Sequence, residues 1–375
     1  MLGDITMTHE NPFTPSFGEI PAHLAGRKQI IADFDRAFSS SNRRPELTSL
    51  FSGARGVGKT ALLSVLSSKA CSDGWIAVNT TAFPGMLDDI EIGLRRNARH
   101  LIDEPSHKKI TGIELTSIGA LSFENAKEEK TNWRYRIADI LDALQSYGTG
   151  VVITVDEVDP QLDEMIELAA VFQHFVRENY KVALLMAGLP HNVSALLSNK
   201  TVSFLRRAQH YKLERIANSD VREALVRTIK ENGKEIDKDA LDIAVESIDG
   251  FPFLMQLVGY KSWDIAGTSK TIEKADVALG VKLAKEDLKE RILDATYNDL
   301  SPEDIRFAVA MLQDSKETKV SDLVERLGRS SAQVGQYRRR LIDAGIIGER
   351  RRGVVGFDLP YFREYLAERR GISLT

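Results

Sequence analysis

The sequence predicts an α/β fold in which a parallel sheet is flanked by helices, followed by an all-helical unit and a small C-terminal unit of helices and a hairpin. Three observations predict it. GARGVGKT, Gly53 to Thr60, follows an apolar run, Leu47 to Phe51, and leads into a helical pattern. VVITVDEVD, Val151 to Asp159, runs five apolar or β-branched residues straight into two acids. From Leu47 to about Leu213, strand candidates alternate with amphipathic helices, the order that covers a parallel sheet on both faces.

Residues 1–20 contain Pro12 and Pro15, precede Pro21, and show little apolar periodicity, which predicts an extended lead-in with folding starting near Pro21. The strands expected in the first domain, residues 21–215, are LTSLF, WIAVN, VVITV, VALLMA and HYKL. Between the second and third, KITGIEL and LSFE (109–115 and 121–124) suggest a hairpin insertion, after which Trp133, Ile137, Ile140, Leu141 and Leu144 follow helical spacing.

Gly53 to Thr60 satisfies G-x-x-x-x-G-K-S/T, a loop that binds the phosphates of a nucleoside triphosphate. Gly53, Gly56 and Gly58 permit backbone conformations that let successive N–H groups turn toward phosphate oxygens. Lys59 reaches the outer phosphates and Thr60 ligates Mg2+. The expected nucleotide-binding set is Gly53, Ala54, Arg55, Gly56, Val57, Gly58, Lys59, Thr60 and Ala61, at a helix N-terminus where anions are favoured. The following helix carries Leu62, Leu63 and Leu66 on a buried stripe. Acids after a strand often cap the next helix. Coupled to this loop, Asp156 reads as a second Mg2+ ligand and Glu157 as the base for the attacking water. The chain is expected to bind ATP with Mg2+ and to hydrolyse it.

Residues 216–297 read as an all-helical lid, with Ser219 and Asp237 as helix caps and Gly233 and Gly250 at helix ends. Residues 298–375 begin SPEDIRFAVAMLQ, with a serine cap, a proline at the first helical position, and Ile305, Ala308, Val309 and Leu312 on one face. VSDLVERLG and SSAQVGQYRRRLIDAG supply two more helices, and IIGERRRGVVGFDL two strands around a turn at Arg350 to Gly353. Three helices and a hairpin predict a winged helix-turn-helix, whose third helix enters the major groove of double-stranded DNA. With Val334, Tyr337 and Leu341 inward, Gln333, Gln336, Arg339 and Arg340 face outward, and Arg350, Arg351 and Arg352 lie in the wing. Residues 329–352 hold seven arginines against Asp343 and Glu349, a balance of +5, although the whole chain is at -4. Winged helices also dock proteins, and charge runs are often solvated faces. The DNA-facing assignment rests on glutamine and arginine being types suited to base edges and phosphates.

At 375 residues, 43% hydrophobic and 28% charged, the chain is long enough for two or three domains and is neither disordered nor fibrous in composition. One cysteine, Cys71, excludes an intramolecular disulfide and reads as small core filler. Paired cysteines, His-Glu-x-x-His and Gly-x-Ser-x-Gly are absent, which removes support for zinc chemistry and serine hydrolysis. His100 and His107 flank a polar stretch and read as solvated. No segment approaches roughly twenty uninterrupted apolar residues. The N-terminal residues lack a basic start and an apolar core, so a cytoplasmic location without membrane contact is expected.

PAHLAGRKQIIADFDRAF, GARGVGKT, VVITVDE, the helical lid and the terminal winged helix together resemble AAA+ P-loop ATPases of the origin-recognition initiator type and their STAND-related prokaryotic relatives. The resemblance runs from Pro21 onward. It implies that Gly26 and Arg27 lie near the adenine side of the nucleotide. It also makes Arg206 or Arg207 a candidate arginine finger reaching a neighbouring subunit in an ATP-dependent oligomer; the alternative is that both form surface ion pairs.

Two departures from the initiator pattern matter. Gly188 and Pro190 stand where initiators place a polar sensor, and Gly250, Phe251, Pro252, Phe253 replaces the lid arginine with the Gly-x-Pro form of STAND-type switches. Fewer partners for the transferring phosphoryl group imply slow hydrolysis. The resulting expectation is a switch that couples Mg-ATP binding to DNA binding. A mobile-element regulatory ATPase and a STAND-like signalling or defence ATPase whose winged helix holds protein remain alternatives.

Overall fold

The five expected strands assemble into one parallel sheet in the computed structural model, which describes residues 10–16, 19–102 and 132–374. Its strands are β1 (Thr48–Ser52), β2 (Ile76–Thr81), β3 (Val151–Asp156), β4 (Val182–Gly188) and β5 (Gln209–Lys212), in the order β2-β3-β4-β1-β5. β3 and β4 are apolar without alternation because both are interior strands, covered on both faces: Val151 to Val155 and every residue of β4 are buried. β4 pairs with β1 on one side and β3 on the other, so the loop after β1 and the acids ending β3 emerge at the same sheet edge.

The flanking helices are α1 (Lys28–Phe38), α2 (Lys59–Ser72), α3 (Met86–Ile102), α4 (Trp133–Gln145), α5 (Asp163–Arg177) and α6 (Pro190–Ser198). One core holds Phe34, Phe38, Phe51, Leu62, Leu66 and Trp75; the other holds Ile90, Ile137, Leu144, Leu168, Phe172 and Phe175. Each such side chain contributes about 1.5–3 kcal/mol on burial. The expected hairpin at 109–115 and 121–124, and His107, lie outside the described residues. Cys71 corrects its expectation, because it is exposed. The inward stripe of α2 runs through Leu62, Leu66 and Ala70, and one further residue rotates the next side chain about 100° away.

α7 (Asn218–Glu231), α8 (Lys238–Ile248), α9 (Pro252–Ala266), α10 (Lys274–Leu288) and α11 (Asp294–Asn298) follow, with a π-helical segment, Lys289–Leu293, before the last. This region is not all helical. β6 (Glu235–Ile236) and β7 (Thr271–Ile272) form a two-residue parallel ladder, too short for any alternation to betray. Asp237 caps α8 by accepting from the N–H groups of Asp239 and Ala240, whereas α7 starts at Asn218 with Ala217 in the cap position, so Ser219 is not a cap.

The C-terminal part comprises α12 (Pro302–Met311), β8 (Thr318–Lys319), α13 (Val320–Leu327), α14 (Ser331–Asp343), β9 (Ile347–Arg351), β10 (Val354–Phe357) and α15 (Phe362–Arg370). β8, β10 and β9 form an antiparallel sheet in that order. Ser301 and Ser330 cap α12 and α14 through their hydroxyls, the second in a capping box with Gln333. Val334 and Leu341 are buried, and Tyr337 is half-buried. α15 packs back onto the segment before α12: Tyr365 donates to Asp294, and Lys289 pairs with Glu368 at 2.8 Å.

Residues 10–16 carry no regular secondary structure but pack against the rest of the chain. Phe13 is 2% exposed and packs on α9 at Gly259, and Asn11 Nδ2 donates to Tyr260 O at 3.0 Å. One apolar residue between prolines has no periodicity, which hid this contact from pattern reading. Among the described residues, no helix is long and apolar enough to cross a membrane.

Candidate nucleotide-binding site

The loop between β1 and α2 uses left-handed backbone at Gly56 (φ 76°) and Gly58 (φ 87°), a region that side chains disfavour. The N-terminus of α2, with its unpaired N–H groups, therefore opens directly from the loop. Lys59 is 5% exposed, and its Nζ donates to the carbonyls of Gly53 and Ala54, both at 3.1 Å. Burial pushes its pKa down, and the carboxylates of Glu157 and Asp156 oppose that shift.

At the end of β3, Asp156 Oδ2 accepts from the hydroxyl of Thr60 at 2.5 Å, and Asp156 Oδ1 accepts from the N–H of Glu157 at 2.9 Å. Glu157 has φ 51°, a left-handed conformation in a non-glycine residue. Among the described residues, no group of three or more His, Cys, Asp or Glu is arranged to hold a metal ion. Hard oxygens from one hydroxyl and one carboxylate suit Mg2+, which keeps waters and takes the rest of its shell from phosphates. Thr60 and Asp156 would hold that ion, which supplies charge neutralisation for the phosphates.

A cavity of about 470 Å³ lies over this loop, lined by Arg55 to Ala61 and by Glu157. Gly53 and Ala54 of the expected set are not on its wall. Arg27 is: it is 9% exposed, its Nη2 donates to Glu214 O (2.9 Å) and Val57 O (3.4 Å), and burial lowers its pKa. Arg27 therefore ties the phosphate loop to the segment leading into α7. Gly26 does not line the cavity and packs against Ile216. The Gly-x-Pro segment contacts the loop directly. Phe251 packs on Gly56, and the N–H of Phe253 donates to Gly56 O at 3.4 Å. At Gly188, where the resemblance leads one to look for a polar sensor, the side chain of Val158 fills the room that a larger side chain would need.

The C-terminal part also reaches the loop. Gly345, which ends α14, sits so close to Ala54 that a Cβ there would come within 2.4 Å of the alanine's own. Arg55 pairs with Asp299 at 3.2 Å, and the ring of His191 contacts Asp343 O at 3.2 Å. Gln333, Gln336, Arg339 and Arg340 are all exposed, but they are not equally free. The amide oxygen of Gln333 serves the α14 capping box. Arg340 is held by Asp304 at 2.6 Å, Arg350 by Asp358 at 2.7 Å, Arg351 by Glu317 at 2.5 Å, and Arg329 lies 3.4 Å from Glu303. All four acids lie outside residues 329–352; Asp304, Asp358 and Glu317 reduce the local balance from +5 to +2, and Glu303 is shared with Arg306 at 3.0 Å. Arg339 pairs loosely with Asp343 at 3.7 Å, and Arg352 has no acidic partner among the described residues.

Arg206 and Arg207 lie on the exposed surface in a short 3-10 segment, outside the cavity, with Arg206 Nε donating to Leu197 O at 2.9 Å. Within one chain the structure does not bring them to the phosphate loop. Sequence reading missed Thr14 and Gln256, which line the cavity. The available sign was a lone amide in the apolar run Pro252 to Val258.

Residues 290–366 match a family described as a domain of unknown function, DUF8462. No curated protein matches the sequence. The Walker-type ATPase PABY2304 of Pyrococcus abyssi is similar in structure, with a TM-score of 0.61 and 14% identity over 92% of this chain and 96% of that one. The Aeropyrum pernix ORC2 protein, in ADPNP and ADP complexes, is similar at a TM-score of 0.51 and 14% identity, over 94% and 95% of the two chains. Taken with the loop after β1 and the acids ending β3, these likenesses show that the chain has the P-loop ATPase fold of these two proteins.

Proposed function

We propose that the chain is an ATP-dependent switch in which Mg-ATP binding at Gly53 to Thr60 controls DNA binding by residues 298–375, acting as a winged helix-turn-helix. The observation that carries this reading is the seat of Gly345 on Ala54. The turn ending α14 rests on the phosphate loop, so a triphosphate that reshapes the loop acts on the helix that would enter the groove. Hydrolysis at Glu157 resets the switch, slowly, because Gly188 and the Gly-x-Pro segment offer no polar or charged side chain to the transferring group.

The deciding experiment is a titration of duplex DNA with ATP, with ADP and without nucleotide, at several salt concentrations. ATP is expected to change DNA affinity by about tenfold relative to ADP, within the usual range of coupling between sites, and affinity should fall steeply with salt. Nucleotide-independent or salt-insensitive binding refutes the reading. Gly345→Leu should still bind ATP and should erase the difference between nucleotides in DNA affinity, because its side chain cannot fit against Ala54.

Since Arg340, Arg350 and Arg351 are held by acids, the test surface is better drawn on Arg339 and Arg352. Changing both to glutamine should weaken DNA binding and reduce the salt slope by about 2, which equilibrium binding measures. The same ion pairs favour a second reading, in which this unit holds a protein partner or keeps the chain closed. An unchanged salt slope in that double variant selects it.

A further inference from the structure

We propose that Gln256 reads the nucleobase and that the base it reads is adenine; this rests on the assignment of the cavity to a nucleoside triphosphate. Beyond the phosphate loop, much of the wall is apolar, with Pro15, Leu24, Met255 and Ile292 forming a surface suited to the flat faces of a base. Gln256 interrupts it. The side chain is 8% exposed, on the first turns of α9, and its Oε1 accepts the backbone N–H of Thr14 at 3.0 Å. A backbone N–H can only donate, so this contact identifies the oxygen end of the amide. Nε2 then has no hydrogen-bond partner among the described residues, while the residue lines the cavity.

The segment that carries Thr14 is itself fixed. Phe13 is seated at Gly259, and Asn11 Nδ2 donates both to Tyr260 O and, at 2.7 Å, to Asp264 Oδ1. Residues 11–14 thus brace the amide against α9. The hydroxyl of Thr14, another wall residue, is buried without a partner, an arrangement that native interiors avoid. That hydroxyl is the second group assigned to the bound base. Of the other polar wall groups, His23 is engaged by Glu231 at 2.6 Å, and Arg291 lies 3.5 Å from Asp287.

The braced amide presents one donor beside one remaining oxygen lone pair. Adenine places its N6 donor beside an acceptor on both of its edges, N1 on one and N7 on the other. Guanine offers O6 beside N7, two acceptors, on one edge and a matching pair only on the other. The amide therefore accepts adenine in more orientations. Glu19, also on the wall, is the group that would favour guanine's donors, and GTP is the necessary competitor in the test.

The test measures affinity of the full chain for ATP, GTP and inorganic tripolyphosphate by calorimetry, in wild type, Gln256→Glu and Thr14→Val. Glutamate keeps the oxygen that Thr14 N–H needs and replaces the donor with an acceptor. Wild type is expected to prefer ATP over GTP by about tenfold or more, and Gln256→Glu to lose about that much ATP affinity with tripolyphosphate binding unchanged. Thr14→Val removes an unsatisfied hydroxyl, so its nucleotide-free melting temperature should hold or rise while ATP affinity falls several-fold. Unchanged ATP affinity in either variant overturns the inference, as does a wild-type preference for GTP. If wild type binds neither nucleotide nor tripolyphosphate, the site assignment itself has failed.

Discussion

Replacing Lys59 with alanine is expected to lower ATP affinity by about 100-fold or more while leaving the nucleotide-free protein folded. Lys59 Nζ spends its bonds on two neutral carbonyls, Gly53 O and Ala54 O, in a setting where burial depresses its pKa. A triphosphate exchanges these for bonds in which both donor and acceptor are charged. Removing the ammonium forfeits that exchange. The cost to the fold is small for a reason of sign. A lysine whose folded pKa lies below its ordinary 10.5 penalises the folded state at neutral pH, and the penalty lifts only as pH rises toward that value. Alanine removes the penalty along with the carbonyl bonds. Thermal melts separate the two effects: wild type should gain stability with added Mg-ATP and Lys59→Ala should gain none. Unchanged nucleotide affinity in the variant sinks the site assignment.

What was legible in the sequence is what local order encodes. Gly53 to Thr60 and Asp156 to Glu157 are contiguous residue types with direct chemical requirements, and the sheet brings them together because β1 and β3 both neighbour β4. β3 and β4 were readable because burial on both faces leaves uninterrupted apolar runs, whereas the edge strand β5, QHYK, is largely exposed and was marked only by its place in the alternation. Contacts between residues far apart in the chain were not. Asp304, Glu317 and Asp358 lie outside the stretch over which charge was counted, so the arginine surface looked more basic than it is. The Ala54 to Gly345 contact joins a small residue to a turn glycine, and neither carries any mark of a partner. Phe13 and Gln256 fail differently: each is one exception in a locally uninformative or locally uniform context, and only the packing of residues 10–16 on α9 gives it meaning.

Glu157→Gln is expected to keep ATP affinity within about twofold and to lower hydrolysis by about 10²–10⁴-fold, the usual contribution of a positioned base. The two acids after β3 have separate duties because the backbone separates them. Asp156 stays in strand register and faces Thr60, whereas Glu157 turns through φ 51° and lines the cavity, its side chain free of hydrogen-bond partners among the described residues. Holding a non-glycine residue there costs about 1–3 kcal/mol, a strain that folds retain where surrounding structure over-determines it, and such sites are often functional. Glutamine preserves the shape and the turn but cannot take a proton from water. In a coupled switch it has a second consequence, since nucleotide then persists as ATP and the ATP-dependent state of residues 298–375 outlasts that of wild type. Single-turnover phosphate release, followed alongside DNA or partner binding in one time course, reads both. Turnover that persists in Glu157→Gln assigns the proton to another group. Lost turnover without prolonged binding leaves Glu157 as the base and removes hydrolysis from the control of the C-terminal unit.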